Sequence, residues 1–202
     1  MGMINEFENI LIKTDGVVNY DLKKYIEVQP GIFSHFFVNV KATLADSRIR
    51  HRLAEALARR VNRKSVCICG IESGGSYYAA AVADLLQKPL VLFRKESKKY
   101  GIGQRFVGNL PSAGRGLVTM IDDVIAGGMI STANNKELAA LGFSSELLVV
   151  FSFLPQLVGP MSAIRISALS NVNGLCLVGR ELGLFKESDV TLIKKERVWS
   201  NV

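Results

Sequence analysis

The sequence is poor in cysteine, with only three in 202 residues. Cys67, Cys69 and Cys176 cannot all pair, and their spacing matches neither a four-ligand metal site nor a Cys-x-x-Cys redox motif. Cys67 and Cys69 alternate along a predicted strand, which places both on one face of it. We therefore interpret the three cysteines as buried thiols rather than as a disulfide scaffold or a metal site.

Long apolar runs are also missing. No uninterrupted run reaches the roughly 18 to 20 residues that a helix needs to cross a bilayer. The segment Met1–Glu8 contains two Glu residues and lacks the apolar core of a signal peptide. These absences predict a cytoplasmic protein with no membrane partner. The hydrophobic content of 49% still supplies ample material for a core, and we predict a single domain.

No Gly-x-Gly-x-x-Gly fingerprint is present, which argues against a dinucleotide-dependent oxidoreductase. The net charge is +7, from 25 Lys and Arg against 18 Asp and Glu, and suits nucleic acid, an anionic surface or a small polyanion. Over Asp46–Lys64, Arg residues fall between apolar residues at helical spacing, which predicts the solvated face of an amphipathic helix. The segment Arg94–Arg105 has no such periodicity, and we predict a mobile basic loop there.

Strand-forming and helix-forming segments alternate through the middle of the chain. The predicted strands are Ser65–Gly70, Leu90–Phe93, Leu117–Ile121 and Leu147–Phe153, and the predicted helices are Tyr77–Gln87 and about Gly128–Leu141. This alternation predicts an α/β fold, with a parallel twisted sheet flanked by helices. Residues 1–45 fit the pattern poorly and are predicted to form a small N-terminal hood on a core of residues 46–202. A further β segment is predicted at Gly174–Gly179.

Three segments with chemistry suited to phosphate follow predicted strands. They are Gly70–Ser76, Arg94–Arg105 and Val124–Met129, the last directly after Asp122 and Asp123. The carboxyl ends of parallel strands share one sheet edge, where open α/β folds bind ligands. Phosphate is bound by glycine turns at the start of helices and by basic side chains. Carboxylates accept hydrogen bonds from hydroxyl groups or bind a hydrated cation. Each segment alone also fits a structural turn, a solvated loop or an Asp helix cap.

Taken together, these motifs resemble the type I phosphoribosyltransferases, and within them the orotate phosphoribosyltransferases. "VTMIDDVIAGG" is similar to the family's phosphoribosyl pyrophosphate (PRPP) motif, "FRKESKKYG" to the catalytic loop of the orotate enzymes, and "QPGIFSHFFVN" to their base-binding segment. The resemblance covers about Gly16–Phe153. It implies the family's fold, with the hood as a base-binding segment. It also implies transfer of a 5-phosphoribosyl group from PRPP to a pyrimidine-type base, orotate first, with release of pyrophosphate.

The resemblance also implies residue roles. Lys98 would stabilise the negative charge of the leaving pyrophosphate, and Asp122 and Asp123 would accept the ribose hydroxyls, which makes these three the catalytic residues. Gln29 and Phe37 would bind the base. A Mg²⁺ cofactor would be held chiefly by PRPP oxygens and water and ordered indirectly by the two aspartates. The implied PRPP-binding residues are Glu72, Ser73, Gly74, Gly75, Arg94, Lys95, Lys98, Tyr100, Asp122, Asp123, Val124, Ile125, Ala126, Gly127, Gly128 and Met129.

The implied partners are PRPP, a nitrogenous base and a second copy of the chain. In the orotate enzymes the loop corresponding to Arg94–Gly101 reaches into the neighbouring subunit's site, so a homodimer with shared active sites is implied. Nucleic acid is not expected as a partner.

Several positions depart from the family pattern. Val38 replaces the second of two aromatic residues in the base-binding segment, and the Arg that the family carries in the loop after Phe153 is missing there, Arg165 being the next Arg in the chain. Ala126 and Met129 stand where the phosphate turn usually carries hydroxyl residues, and Gln29 stands where the orotate enzymes carry Lys. These departures leave an alternative open, a catalytically weakened relative that binds PRPP or a nucleotide as a sensor. Lys98 and the paired aspartates favour the enzyme.

Replacing Lys98 with Ala should lower turnover of PRPP by more than about tenfold and change PRPP affinity less, because a cation that meets the leaving group acts mainly on the transition state. Steady-state kinetics together with calorimetric PRPP binding would separate the two effects. Unchanged turnover in the variant would contradict the role assigned to Lys98.

Overall fold

The computed structural model describes residues 6–21, 23–29, 32–94, 105–112, 114–126, 129–153 and 164–195. The strands are β1 Val18–Tyr20, β2 Ile26–Gln29, β3 Ile32–Ser34, β4 Phe36–Val38, β5 Ser65–Ile71, β6 Leu90–Phe93, β7 Phe106–Val107, β8 Gly116–Ile125, β9 Phe143–Ser152 and β10 Arg165–Asn171. The helices are α1 Glu6–Lys13, α2 Ser47–Ala58, α3 Gly74–Leu86, α4 Met129–Ala140, α5 Val172–Glu181 and α6 Glu187–Lys195, with a 3-10 helix at Val40–Ala45. No helix in these ranges is long and apolar enough to cross a membrane.

Six strands form the central sheet, in the order β10-β9-β8-β5-β6-β7. The first five are parallel to their neighbours, and β7 runs antiparallel to β6. The α/β fold predicted from the alternation of elements is therefore confirmed. Helices cover both faces of the sheet, which is why β9 carries the unbroken buried run Leu147–Phe151 rather than an alternating pattern.

The two faces of the sheet belong to two hydrophobic clusters. On β5, Ile68 joins a cluster with Leu53 of α2 and Val82 of α3, whereas Cys67 and Cys69 join a second cluster that includes Leu138 of α4. The prediction that both cysteines share one face and are buried is confirmed.

Burial also makes these thiols chemically inert. It raises the pKa of Cys67 to about 11 and raises the pKa of Cys69 further above its ordinary value. Cys176 is buried as well, and burial raises its pKa. At neutral pH the thiolate, which is the reactive form, is therefore scarcely populated at any of the three.

The strand bounds differ from the prediction at the two central strands. Strand β8 continues to Ile125 instead of ending at Ile121, because its parallel pairing with β9 continues through Asp122 and Val124, opposite Val149 and Phe151. The two aspartates therefore lie on the carboxyl end of the strand itself, where the backbone is fixed by the ladder. Likewise, β9 begins at Phe143 rather than at Leu147.

The β segment predicted at Gly174–Gly179 is wrong, because these residues lie within helix α5. The helix begins after Asn171, whose side chain accepts a hydrogen bond from the backbone N–H of Gly174 at 3.0 Å. Both glycines serve close packing. A Cβ on Gly174 would lie 2.6 Å from Glu8 Oε1, and one on Gly179 would lie 2.2 Å from the ring of Phe185.

The N-terminal segment contains α1, the antiparallel pair β1–β4, the antiparallel pair β2–β3, and the 3-10 helix. Helix α1 lies against α5 and β10, so the first and last parts of the chain pack together. Leu11, Val17 and Phe36 of this segment belong to the same hydrophobic cluster as α2 and α3. The division at residue 45 stays a prediction.

Glu8 is a buried carboxyl group at the contact between α1 and α5, with only 4% of the residue exposed. Burial raises its pKa above the ordinary 4.5, and the Glu8 backbone, the Ser170 side chain and the Arg60 guanidinium offset this only in part. The folded protein therefore binds the Glu8 proton more tightly than the unfolded chain does.

Glu8→Gln should raise the free energy of unfolding relative to wild type, by an amount that grows with pH. The stabilisation from the Glu8 proton is complete below the unfolded pKa of 4.5 and is lost as pH rises through the higher folded pKa, whereas Gln has no such loss. Denaturant unfolding from about pH 4 to pH 8 would measure the difference, because this range begins near the unfolded pKa of Glu8 and extends above it. Exposed Glu181→Gln controls for the loss of one negative charge. A pH-independent difference would contradict a raised Glu8 pKa.

Candidate functional site

The candidate site lies at the carboxyl edge of three neighbouring strands, β8, β5 and β6. Strand β5 leads through Glu72 and Ser73 into α3, β6 leads into Arg94, and β8 leads through Ala126 toward α4. Because the three strands are parallel neighbours, the segments that follow them converge at one edge. The fold thus brings together the glycine turn, the start of the basic segment and the acidic pair.

Asp123 lies against the first residue of α3. A Cβ built on Gly74 would be 2.1 to 2.4 Å from the three atoms of the Asp123 carboxyl group, so only glycine leaves room for this carboxylate. The backbone N–H of Asp123 also donates to Asp122 Oδ1 at 2.8 Å. Both aspartates are partly exposed, so their carboxylates lie at the edge of the site.

The N-terminus of α3 packs directly on β8. A Cβ on Gly75 would lie 2.2 Å from the carbonyl oxygen of Ile121, so glycine at this position allows the helix to contact the strand backbone. Ser73 occupies the N-cap position, and within the described residues its side chain makes no capping hydrogen bond. The first N–H groups of α3 are therefore not satisfied by that hydroxyl, and such groups together with the helix dipole bind anions.

Glu72 and Arg94 connect the turn after β5 with the end of β6. The backbone N–H of Glu72 donates to the carbonyl of Phe93 at 2.9 Å, which extends the β5–β6 pairing by one bond. Arg94 Nε lies 3.9 Å from the Glu72 carboxylate, and the two side chains are 24% and 40% exposed. A pair this long and this exposed is weak, so the Arg94 guanidinium can turn to an anionic ligand at little cost.

The predicted phosphate turn begins with Val124 and Ile125, which are the last residues of β8, followed by Ala126. The carbonyl of Ile125 accepts a hydrogen bond from the N–H of Phe153 at 2.9 Å, which joins this turn to the end of β9. Helix α4 begins at Met129. The glycine pair directly before this helix, Gly127 and Gly128, lies outside the described residues.

Part of the predicted site falls outside the described residues. Lys95, Lys98, Tyr100, Gly127 and Gly128 do so entirely. For Gln29 and Met129 the structure describes the backbone, at the end of β2 and the start of α4, but not the side chain.

The predicted base-binding segment lies in the N-terminal part of the chain, within residues 1–45. Phe37 is on β4 opposite Asn19 of β1 and is partly exposed. Other residues of the same part of the chain present further aromatic side chains. Tyr25 is 65% exposed with its ring 4.0 Å from that of His35, and Phe33 is 49% exposed. Planar groups of this kind can stack on a base.

Tyr78 connects α3 with the hood, a contact that no sequence pattern indicated. Its hydroxyl hydrogen bonds with Thr43 Oγ1 of the 3-10 helix, and Thr43 donates its own proton to the Val40 carbonyl at 2.7 Å. Tyr78 must therefore be the donor to Thr43. Burial, the largest effect, and the Asp123 carboxylate raise the pKa of Tyr78 to about 12 against the lowering effect of the Thr43 hydrogen bond, so the hydroxyl stays protonated at neutral pH.

The described residues of the site can supply only part of the ligands of a metal ion. Among the described residues, no group of three or more His, Cys, Asp or Glu side chains is arranged to hold a metal. The two aspartates fit a Mg²⁺ that takes most of its oxygen ligands from a bound phosphate ester and water, as Mg²⁺ commonly does in proteins.

Curated proteins with similar sequences include orotate phosphoribosyltransferases. The protein of that name from Methanocaldococcus jannaschii is 28% identical over 95 residues, which is 47% of this chain and 53% of that protein. The one from Enterococcus faecalis is 26% identical over 175 residues, 82% of this chain and 81% of that protein. The chain thus spans about half the length of some relatives and most of others. No protein-family model matches the sequence.

Solved structures share the fold. Leishmania donovani UMP synthase has a TM-score of 0.75 at 16% identity, over 96% of this chain and 42% of that chain. Aeropyrum pernix orotate phosphoribosyltransferase has a TM-score of 0.70 at 22% identity, over 89% and 99%. Leishmania donovani adenine phosphoribosyltransferase has a TM-score of 0.63 at 16% identity, over 87% and 84%. The chain is thus similar in sequence to orotate phosphoribosyltransferases and shares the fold of solved phosphoribosyltransferase structures.

Proposed function

We propose that this chain is a PRPP-dependent phosphoribosyltransferase that transfers the 5-phosphoribosyl group to a pyrimidine-type base, orotate first, and releases pyrophosphate. The observation that carries the proposal is the Asp123 carboxylate held against Gly74 at the start of α3, with Arg94 on the neighbouring strand end. This arrangement sets an acceptor for ribose hydroxyls beside donors for phosphate. The orotate phosphoribosyltransferase names of the sequence relatives support orotate as the base.

In the reaction, the bond from ribose C1 to the pyrophosphate oxygen breaks, and its electron pair leaves with pyrophosphate. A base nitrogen forms the new bond to C1, and any proton on that nitrogen passes to solvent. Positive charge develops on the ribose while negative charge develops on the leaving group, so the site must present carboxylates to one and donors to the other.

The chain's residues divide between these two tasks. Asp122 and Asp123 accept the ribose hydroxyls and place negative charge near the ribose ring. The N–H groups at the start of α3 and the Arg94 guanidinium bind pyrophosphate. Lys95 and Lys98 add further positive charge around the bound pyrophosphate. Mg²⁺, when bound, neutralises part of the phosphate charge of PRPP and orients it.

The 5-phosphate is assigned to the turn Val124–Met129 and the N-terminus of α4. Ala126 supplies no hydroxyl and Met129 is apolar, so binding there depends on backbone N–H groups and the helix dipole. The base is assigned to the hood, at Phe37 and Gln29. The Tyr78–Thr43 hydrogen bond supports this division, because it fixes the hood against the helix that contacts Asp123.

The proposal is tested by turnover. Purified protein with Mg²⁺ and PRPP should release pyrophosphate with orotate, and less with uracil, adenine or hypoxanthine. Asp123→Asn should lower the orotate rate by about 10²-fold, the scale seen when one electrostatic contact to the transition state is removed, while Arg115→Met at the opposite sheet edge should leave it unchanged. Tight PRPP binding without turnover of any base would favour the sensor, and no PRPP binding would reject both.

We further propose a homodimer in which Lys98 of the basic segment reaches the site of the partner subunit, while Arg94 at the start of that segment serves the site of its own chain. Mixing a Lys98→Ala chain with an Asp123→Asn chain should then restore part of the activity, because some hybrid sites contain both native residues. The activity of the mixture is compared with that of each variant alone, after heterodimer formation is verified by mass spectrometry. A verified heterodimer with no recovered activity would mean that each site is built within one chain.

Gly74→Ala and Gly75→Ala should fail in different ways. The added methyl at residue 74 meets the Asp123 carboxylate, which can rotate away, so we expect PRPP affinity to fall by about tenfold, or 1.4 kcal/mol, with less effect on stability. The methyl at residue 75 meets the carbonyl of Ile121, which cannot move alone, so we expect unfolding free energy to fall by about 1 to 3 kcal/mol. Calorimetry and denaturant unfolding measure the two quantities. Equal stability losses would contradict the distinction.

A further inference from the structure

Arg105 joins the two ends of the basic segment. Its carbonyl accepts a hydrogen bond from the N–H of Arg94 at 2.9 Å, and its Nε and Nη2 donate to the Arg94 carbonyl at 3.3 and 3.2 Å. These bonds continue the antiparallel pairing of β6 with β7, in which Phe93 lies opposite Phe106. The backbone of Arg94 is thus fixed by a residue eleven positions later in the chain.

The same guanidinium reaches helix α4. Nη1 donates to Glu137 Oε2 at 2.9 Å, and Nη2 donates to Asn134 Oδ1 at 3.2 Å. The guanidinium also lies over the Phe93 ring, 4.5 Å from its centroid. Asn134 is fully buried and the Arg105 side chain is 26% exposed, so these contacts are largely shielded from water. The planar guanidinium can donate hydrogen bonds to the Arg94 carbonyl, Asn134 and Glu137 at the same time, which a Lys ammonium does less well.

The two elements that Arg105 joins are assigned to bind opposite ends of the proposed substrate. Arg94 is assigned to pyrophosphate, and α4 begins at the turn assigned to the 5-phosphate. Strand β5 lies between β6 and β8 in the sheet, so the Arg105 side chain links the end of β6 to the helix that follows a strand two positions away.

We propose that Arg105 is a positioning residue that holds Arg94 and α4 at a fixed separation, so that the pyrophosphate and 5-phosphate of one PRPP molecule are bound simultaneously. The proposal rests on the proposed function for the identity of the ligand. Arg105 itself contacts protein groups, and its effect on PRPP passes through Arg94 and α4.

This role gives a signature that a merely stabilising residue would not. When two half-sites are held at the correct separation, a ligand that spans them gains affinity that its separate halves do not. Loss of Arg105 should therefore weaken PRPP much more than it weakens pyrophosphate or ribose 5-phosphate.

The experiment compares wild type with Arg105→Met, Arg105→Lys and the exposed control Arg115→Met by calorimetry in Mg²⁺. In Arg105→Met we expect PRPP affinity to fall by about tenfold or more, with pyrophosphate and ribose 5-phosphate each changed less than about threefold. Arg105→Lys, which keeps the charge and loses the fork, should recover only part of the loss. Arg115→Met should match wild type with all three ligands.

Glu137→Gln provides a second variant that removes one partner and leaves Arg105 in place. It should show the same pattern with a smaller loss, and its effect should be less than multiplicative with that of Arg105→Met, because both break one network. If Arg105→Met does not fold, Glu137→Gln decides the matter by the same comparison of PRPP with its two fragments.

Wild-type PRPP affinity in a folded Arg105→Met protein would overturn the proposal, as would fragments weakened as much as PRPP. If wild type binds none of the three ligands, the proposed function fails instead. Hydrogen exchange of residues 90–94 and 129–140 then judges the link on its own. Faster exchange of both segments in Arg105→Met supports it, and unchanged exchange overturns it.

Discussion

The candidate site depends on one close contact, the packing of the α3 N-terminus on the carboxyl end of β8. It requires Gly74 and Gly75, because a Cβ at either position would lie 2.1 or 2.2 Å from atoms of Asp123 or Ile121. The contact places a carboxylate beside the N–H groups of a helix start, so groups that accept and groups that donate hydrogen bonds lie side by side. Such a pair suits a ligand that carries hydroxyls next to a phosphate.

Other features hold this contact in place from several directions. The parallel β8–β9 ladder continues past the aspartates and fixes their backbone. Tyr78, one turn into α3, bonds to Thr43 and ties the helix to the hood, while Arg105 ties the end of β6 to α4. The side chains of the site are thus partly exposed, but the elements that bear them are held by buried or half-buried polar contacts. Positioning of this kind lets a site act without reorganisation.

Much of the central fold could be predicted from the sequence, because continuous apolar runs mark strands buried on both faces. That signal identified β5, β6, β8 and β9. It failed at Gly174–Gly179, where glycine flanks an apolar run in a manner typical of a strand. There the glycines instead allow α5 to pack against Glu8 and Phe185. Strands β1, β2 and β7 were not predicted, since two to four residues carry too little periodicity.

The sequence by itself determined which chemistry is present: paired carboxylates after an apolar strand, glycine turns, and a basic segment, in an order that resembles one family. Only the tertiary structure decided which of these groups meet. Asp123 contacts Gly74 from a strand 49 residues further along the chain, and Arg105 reaches Asn134 and Glu137 in a helix about 30 residues later. Contacts at such separations depend on how strands order themselves in a sheet, and no local pattern of residue types carries that information.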